Sequence, residues 1–168
     1  MIGISMFFAG LTSAVIVRSA DRGWESIIMP QWFWYSTFAI LLSSITLIIA
    51  KRQVKKGISP TFYIVLSLIL GLLFSCFQIV GWGQLVSNGI FLTGEKSHPA
   101  GSFLYVITLA HLIHVLGGLI SLLVTTIKSA QVKYTKKNYL GIELTSIYWH
   151  FLDVLWVYLF VFLLYSLK

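Results

Sequence analysis

Five ionisable side chains lie within or at the edge of long apolar runs: His111, His114, Glu143, His150 and Asp153. Histidine and carboxylate together can ligate a metal, hold a haem, pass protons or hydrogen bond, and each chemistry demands its own geometry. His111 and His114 stand three residues apart, as do His150 and Asp153, so on helices each pair shares a face. Two axial haem ligands must reach the iron from opposite sides at nearly one level, which two residues on one helix face do not do. A di-metal bundle takes a Glu-x-x-His pair from each of two helices plus two further carboxylates. Here only Glu143 and Asp153 lie in or beside these runs. Nothing else has catalytic spacing: there is no phosphate-cradling glycine loop, no nucleophile with a base and its orienting group, and no Cys/His zinc grouping. The single Cys76 makes no disulfide framework, and its place in an apolar run predicts a small buried hydrophobe. His98, beside Glu95 and Lys96, reads as a solvated loop residue.

The elements that position these groups follow from composition. Of 168 residues, 58% are hydrophobic and only 10% charged, against roughly 25% charged in a soluble domain, and mean hydropathy is +0.89. A soluble chain of this size has no core large enough to hide so much apolar surface, so its solvent is lipid. Ten-residue alternating segments are absent, which excludes a β-barrel. A spanning helix needs about 20 apolar residues, and five segments qualify: about 1–18, 31–50, 61–84, 101–127 and 143–166. The expected architecture is an all-α membrane protein, a five-transmembrane-helix bundle forming one integral domain over 1–168. The first segment begins without a basic region and reads as a retained anchor rather than a cleaved signal.

Orientation follows from the basic residues. Lys51, Arg52, Lys55 and Lys56 follow the second segment, and Lys128, Lys133, Lys136 and Lys137 follow the fourth; Arg18, Arg22, Lys96 and Lys168 lie on the other side. By the positive-inside rule the two richer segments are cytoplasmic, with the N-terminus inside and the C-terminus outside. The net charge of +7 is thereby assigned to membrane topology, not to a nucleic-acid surface. Gly10/Ala14, Gly71/Ser75 and Gly117/Ser121 are small pairs that would let helices approach closely. Trp24, Trp32, Trp34 and Tyr35 are expected at a membrane edge.

An ionisable group in hydrocarbon costs about 2.5–3.5 kcal/mol on insertion scales, so each should face protein and have a partner. Counting about 1.5 Å per residue from the cytoplasmic side, His150 lies about 10 Å deep, Asp153 about 15 Å, His114 about 20 Å and His111 about 24 Å. His114 and His150 are thus about 9 Å apart in level, too far to share one iron. His114 is nearest in level to Asp153, which predicts a contact fixing helix four against helix five. The spacing favours a structural role for all five polar residues; proton handling, and metal or haem ligation, are the other chemistries open to them.

The last two segments carry a resemblance. His111-Leu-Ile-His114-Val-Leu-Gly117-Gly118, then Gly141-Ile-Glu143, then Tyr148-Trp149-His150-Phe151-Leu-Asp153-Val154-Leu-Trp156 resemble the signature of subunit III of haem-copper respiratory oxidases. Its approximate pattern is H-x-x-H-V-x-x-G followed by G-x-E-x-x-x-x-Y-W-H-F-x-D-x-x-W. Met6-Phe7-Phe8-Ala9-Gly10 is similar to the start of the family's third helix, and Leu70-Gly71-Leu72-Leu73-Phe74 with Gln78 to its fifth.

The resemblance implies a non-catalytic subunit of a bacterial cytochrome c oxidase in the inner membrane. Such a subunit carries no haem or copper, which belong to partner subunits. It packs against subunit I, contacts other respiratory subunits and membrane lipids, and supports oxygen reduction and proton pumping. Subunit III of a quinol oxidase and the five-helix accessory protein of nitric oxide reductase are related alternatives; a small transporter or proton channel using His114 and Asp153 is one of another class. The family commonly has seven helices and this chain corresponds to the last five, so the groove between the first two and the rest is incomplete within it. Where many of the family have Glu three residues before the Phe-Phe pair, this chain has Ile4.

Overall fold

A computed structural model describes residues 1–20, 24, 26–94, 97–131, 134 and 138–167. Five helices follow one another: α1 (Ile2–Ser19), α2 (Gln31–Lys55), α3 (Thr61–Ser87), α4 (Pro99–Ala130) and α5 (Leu140–Ser166). All five are long and apolar enough to cross a membrane. The protein is an all-α membrane protein with a five-helix bundle.

Four of the helices run beyond the predicted spans, because a helix does not stop where hydrocarbon stops. Lys, Arg and Gln are good helix formers, and basic residues interact favourably with the negative end of a helix. Lys51, Arg52 and Lys55 therefore continue α2, and Lys128 continues α4, where the sequence placed them in loops. Gly57 at φ 79° and Gly89 at φ 80° turn the chain after α2 and α3, a left-handed conformation that glycine adopts without steric cost. α4 starts at Pro99, whose missing N–H is no loss in a first helical turn. Lys133, Lys136, Lys137, Arg22, Lys96, Lys168 and Glu95 lie outside the described residues.

α2, α3, α4 and α5 close a ring in which each helix packs on its two neighbours, and α1 lies outside it against α4 and α5. At one end of the bundle Lys51 meets Glu143. At the other, the Trp24 indole N–H donates to the carbonyl of Ser166, and the Ile27 backbone N–H to that of Leu167. Large apolar side chains such as Phe38, Phe62, Ile113, Ile120 and Val154 point outward, as lipid solvation allows. Trp32, Trp34 and Tyr35, at the start of α2, are exposed as well.

Small residues matter at the ring's centre. The Trp149 ring fits against Gly71 of α3 and Gly118 of α4; a Cβ at Gly71 would come within 2.7 Å of that ring, and one at Gly118 within 2.9 Å. Of the three predicted small pairs, Gly10 and Ala14 are exposed, with open space beside Gly10. Gly117 also faces outward, and its neighbour Gly118 makes the contact. Cys76 is exposed rather than buried, because its helix turns Phe74 and Gln78 inward; a thiol is apolar enough to face lipid.

A polar seam between the second and fifth helices as candidate functional site

α5 carries Glu143, Ser146, Trp149, His150, Asp153 and Trp156, spaced by three or four residues and therefore on one stripe. That stripe meets α2. The Lys51 ammonium lies 2.8 Å from the Glu143 carboxylate. Ser44 Oγ lies 2.6 Å from His150 Nδ1. The Trp149 indole N–H donates to Ser43 Oγ at 3.1 Å, and the Trp156 indole N–H donates to Thr37 Oγ1 at 2.9 Å. Thr37, Ser44 and Lys51 are seven residues apart, as are Trp156 and Trp149, and His150 and Glu143. Two antiparallel helices thus touch once every two turns, the repeat that keeps a seam facing its partner.

His150 is hydrogen bonded at both ring nitrogens, Nε2 lying 3.1 Å from Ser146 Oγ. Asp153 Oδ2 lies 3.8 Å from His150 Nδ1, close but outside hydrogen-bond length. The Asp153 side chain is 4% exposed, and neither of its oxygens has a hydrogen-bond partner among the described residues.

His111 and His114 take different surroundings. His111 is fully buried, and both its nitrogens lack a hydrogen-bond partner among the described residues. Its ring centroid lies 5.1 Å from Trp156, 6.0 Å from Phe74 and 6.2 Å from Phe8. His114 is half-buried, donates from Nδ1 to the Ala110 carbonyl at 2.7 Å, and meets Phe8 at 5.7 Å. The Tyr148 hydroxyl donates to the His114 carbonyl at 3.2 Å.

The predicted His114/Asp153 contact is therefore replaced by two others. Depth alone had paired them, but rotation about the helix axes turns His114 to α1 and Asp153 to the α2 side. Tyr148 is the α5 residue that reaches His114. The sequence reading also passed over the hydroxyls that line the other contacts. Ser43 donates to the Ser67 carbonyl, Gln78 Nε2 to Ser36 Oγ, and Trp82 Nε1 to Thr108 Oγ1. Thr145 on α5 lies within 2.9 Å of both Ser121 and Thr125 on α4. Their only signal was recurrence of Ser and Thr inside otherwise apolar runs. Among the described residues, no three His, Cys, Asp or Glu side chains gather at metal-binding distance. The hydrogen bonds and the ion pair of the seam link α2 to α5.

Residues 27–167 match the family model described as Cytochrome c oxidase subunit III. The chain belongs to the cytochrome c oxidase subunit III family. The match takes in the whole ring α2–α5, and α1 precedes it. Curated relatives include a cytochrome c oxidase subunit 3 of Chondrus crispus, 31% identical over 75% of this chain and 45% of the relative. A probable cytochrome c oxidase subunit 3 of Mycobacterium leprae is 29% identical over 92% of this chain and 78% of the relative. A probable quinol oxidase subunit 3 of Staphylococcus saprophyticus is 32% identical over 74% and 61%. The chain thus spans about half the length of the first of these subunit III relatives and over three quarters of the second.

Proposed function

We propose that this chain is subunit III of a bacterial haem-copper oxidase, a helical partner that steadies the subunits in which oxygen is reduced and protons are pumped. The observation that carries this is the family match across the entire helix ring. Subunit I is the main contact; haem and copper reside in partner subunits, and this chain supplies no catalytic residue. It is one integral domain of a bacterial plasma membrane, with its N-terminus cytoplasmic and its C-terminus periplasmic. The basic ends of α2 and α4 support that orientation. His111, His114, Glu143, His150 and Asp153 serve as helix contacts, a role supported for Glu143, His150 and Asp153 by the seam's geometry and for His111 and His114 by their ring contacts with Phe8.

The electron donor proposed is cytochrome c; quinol is a second reading, favoured by the staphylococcal relative. Donor choice resides in other subunits, so the test is made on the assembly. The tagged chain is purified from its membranes in mild detergent, an absorption spectrum is taken, and co-purifying proteins are identified. Haem absorption together with a subunit I is expected. A co-purifying copper-centre subunit II assigns cytochrome c as donor, and its absence with quinol-dependent oxygen consumption assigns quinol. Recovery of the chain with no haem-bearing partner would sink the oxidase reading.

A further inference from the structure

Asp153 is a buried carboxyl with no ion-pair partner among the described residues other than the His150 imidazole on its own helix. Its other polar neighbour is the Ser44 hydroxyl of α2, and His150 is bonded in turn to Ser146. On α2, Lys51 is ion-paired with Glu143 at 2.8 Å, and Lys55 acts on that same carboxylate. α3 carries no Asp, Glu, Lys, Arg or His, and α1 carries only Arg18, in its last turn. On α4, His111 lies against Trp156, His114 is turned to α1, and Lys128 stands in the last turn.

A cavity of about 340 Å³ between α2 and α5 leads toward this group. Lys51, Arg52 and Lys55 stand at its mouth, Ile48 and Ile147 along it, and Ser146 and His150 at its inner end. Basic side chains at helix ends seek the membrane interface, so the mouth meets water, and the volume has room for several water molecules. We infer that Asp153 takes up and releases a proton through His150 and the two serines, from the aqueous phase on the Lys51 side alone, so that the pair stores a proton rather than conducting one.

Each step moves one proton along an existing contact, since hydroxyls and an imidazole both give and take protons. With the imidazole proton on Nδ1, a proton delivered by cavity water reaches Ser146 Oγ, and the serine's own proton passes to His150 Nε2, 3.1 Å away. The Nδ1 proton passes to Ser44 Oγ over 2.6 Å, and the Ser44 proton to the Asp153 carboxylate. The imidazole ends as the other tautomer, and the reverse sequence releases the proton. The route stops there. The next hydroxyl of α2 along the seam is Thr37, about 10 Å further on, which already donates to the Phe33 carbonyl and accepts from the Trp156 indole.

The test uses the full chain in liposomes and reads the infrared C=O stretch of a protonated carboxyl. It needs no oxidase partner, so its outcome is separate from that of the proposed function. The unaltered chain should show such a band, absent from Asp153→Asn, that shifts as soon as heavy water is added. His150→Gln should slow the shift at least about a hundredfold, the low end for a positioned proton-transfer group. Ser44→Ala, a milder change, should slow it as well, while His114→Gln leaves it unchanged. Absence at every pH of a band that Asp153→Asn removes would overturn the proposal, as would slow exchange in the unaltered chain. Equal rates in His150→Gln and the unaltered chain would remove His150 from the route and overturn it too. So would equal slowing by His114→Gln, which would trace the effect to general loosening of the bundle. A proton flux across the loaded liposomes above that of empty ones would make the route a channel and overturn the store.

Discussion

α5 and α1 are both apolar helices in the same bundle, yet they are held in different ways. α5 buries eleven side chains, among them Trp149, Asp153 and Trp156, and its seam with α2 is bridged by hydrogen bonds and an ion pair at every second turn. α1 buries only Phe8, Thr12 and Val15. Its grip on the ring is aromatic: Phe8 sits against His111 and His114, helped by a 3.4 Å contact between Thr12 Oγ1 and the Tyr158 hydroxyl. Apolar area does not distinguish the two helices, because lipid tails are as good a neighbour as leucine. Fitted rings and polar bridges make the difference.

The largest expected effect comes from the ring's centre. Trp149→Ala removes a fully buried indole that fills the space beside Gly71 and Gly118 and donates to Ser43. A loss of about 3–5 kcal/mol is expected for such a truncation, read as unfolding in mixed micelles. A loss under about 1 kcal/mol would mean that the seam is not where the bundle's stability lies.

Phe8→Ala should cost about 3 kcal/mol, the low end for a buried ring, and the loss should be local. Hydrogen exchange would rise in α1 while α2–α5 keep their protection; loosening of the whole ring would erase the contrast between the two helices. Ser44→Ala removes one intramembrane bond to His150 and should cost about 0.6 kcal/mol, at most about 1.7. A double-mutant cycle on Ser43 and Trp149 should give coupling in the same range, and strict additivity would show that the indole works by volume alone. Smallest of all, Lys51→Gln at a part-exposed pair should cost about 0.2–1 kcal/mol and less at high salt.

The helices were legible because hydropathy sums over some twenty residues, and no single misreading moves a span by more than a few positions. Their ends were less so: Lys51, Arg52 and Lys55 break the apolar run without breaking the helix. Among the site residues, the three-residue spacings correctly put His150 and Asp153 on one face, and the two approach to 3.8 Å. What faces them was not legible. Depth along the axis placed Asp153 at the level of His114, whereas the rotation of α5 presents Ser146, His150 and Asp153 to Ser44 and its neighbours on α2. Ser43 and Ser44 gave no distinguishing signal, since hydroxyls are tolerated on either side of a membrane helix.

The sequence by itself determined that the solvent is lipid, that five helices cross it, which ends carry the positive charge, and to which family the motif of the last two helices points. Only the tertiary structure decided that α2 is the partner of α5, that Trp149 fits against two glycines, and that α1 stands outside the ring. The reason is physical. In water a helix's polar face declares its orientation, but in a bilayer the lipid-facing and core-facing sides are both apolar. Rotation is then set by a few hydroxyls, rings and glycines whose roles exist only once two helices meet.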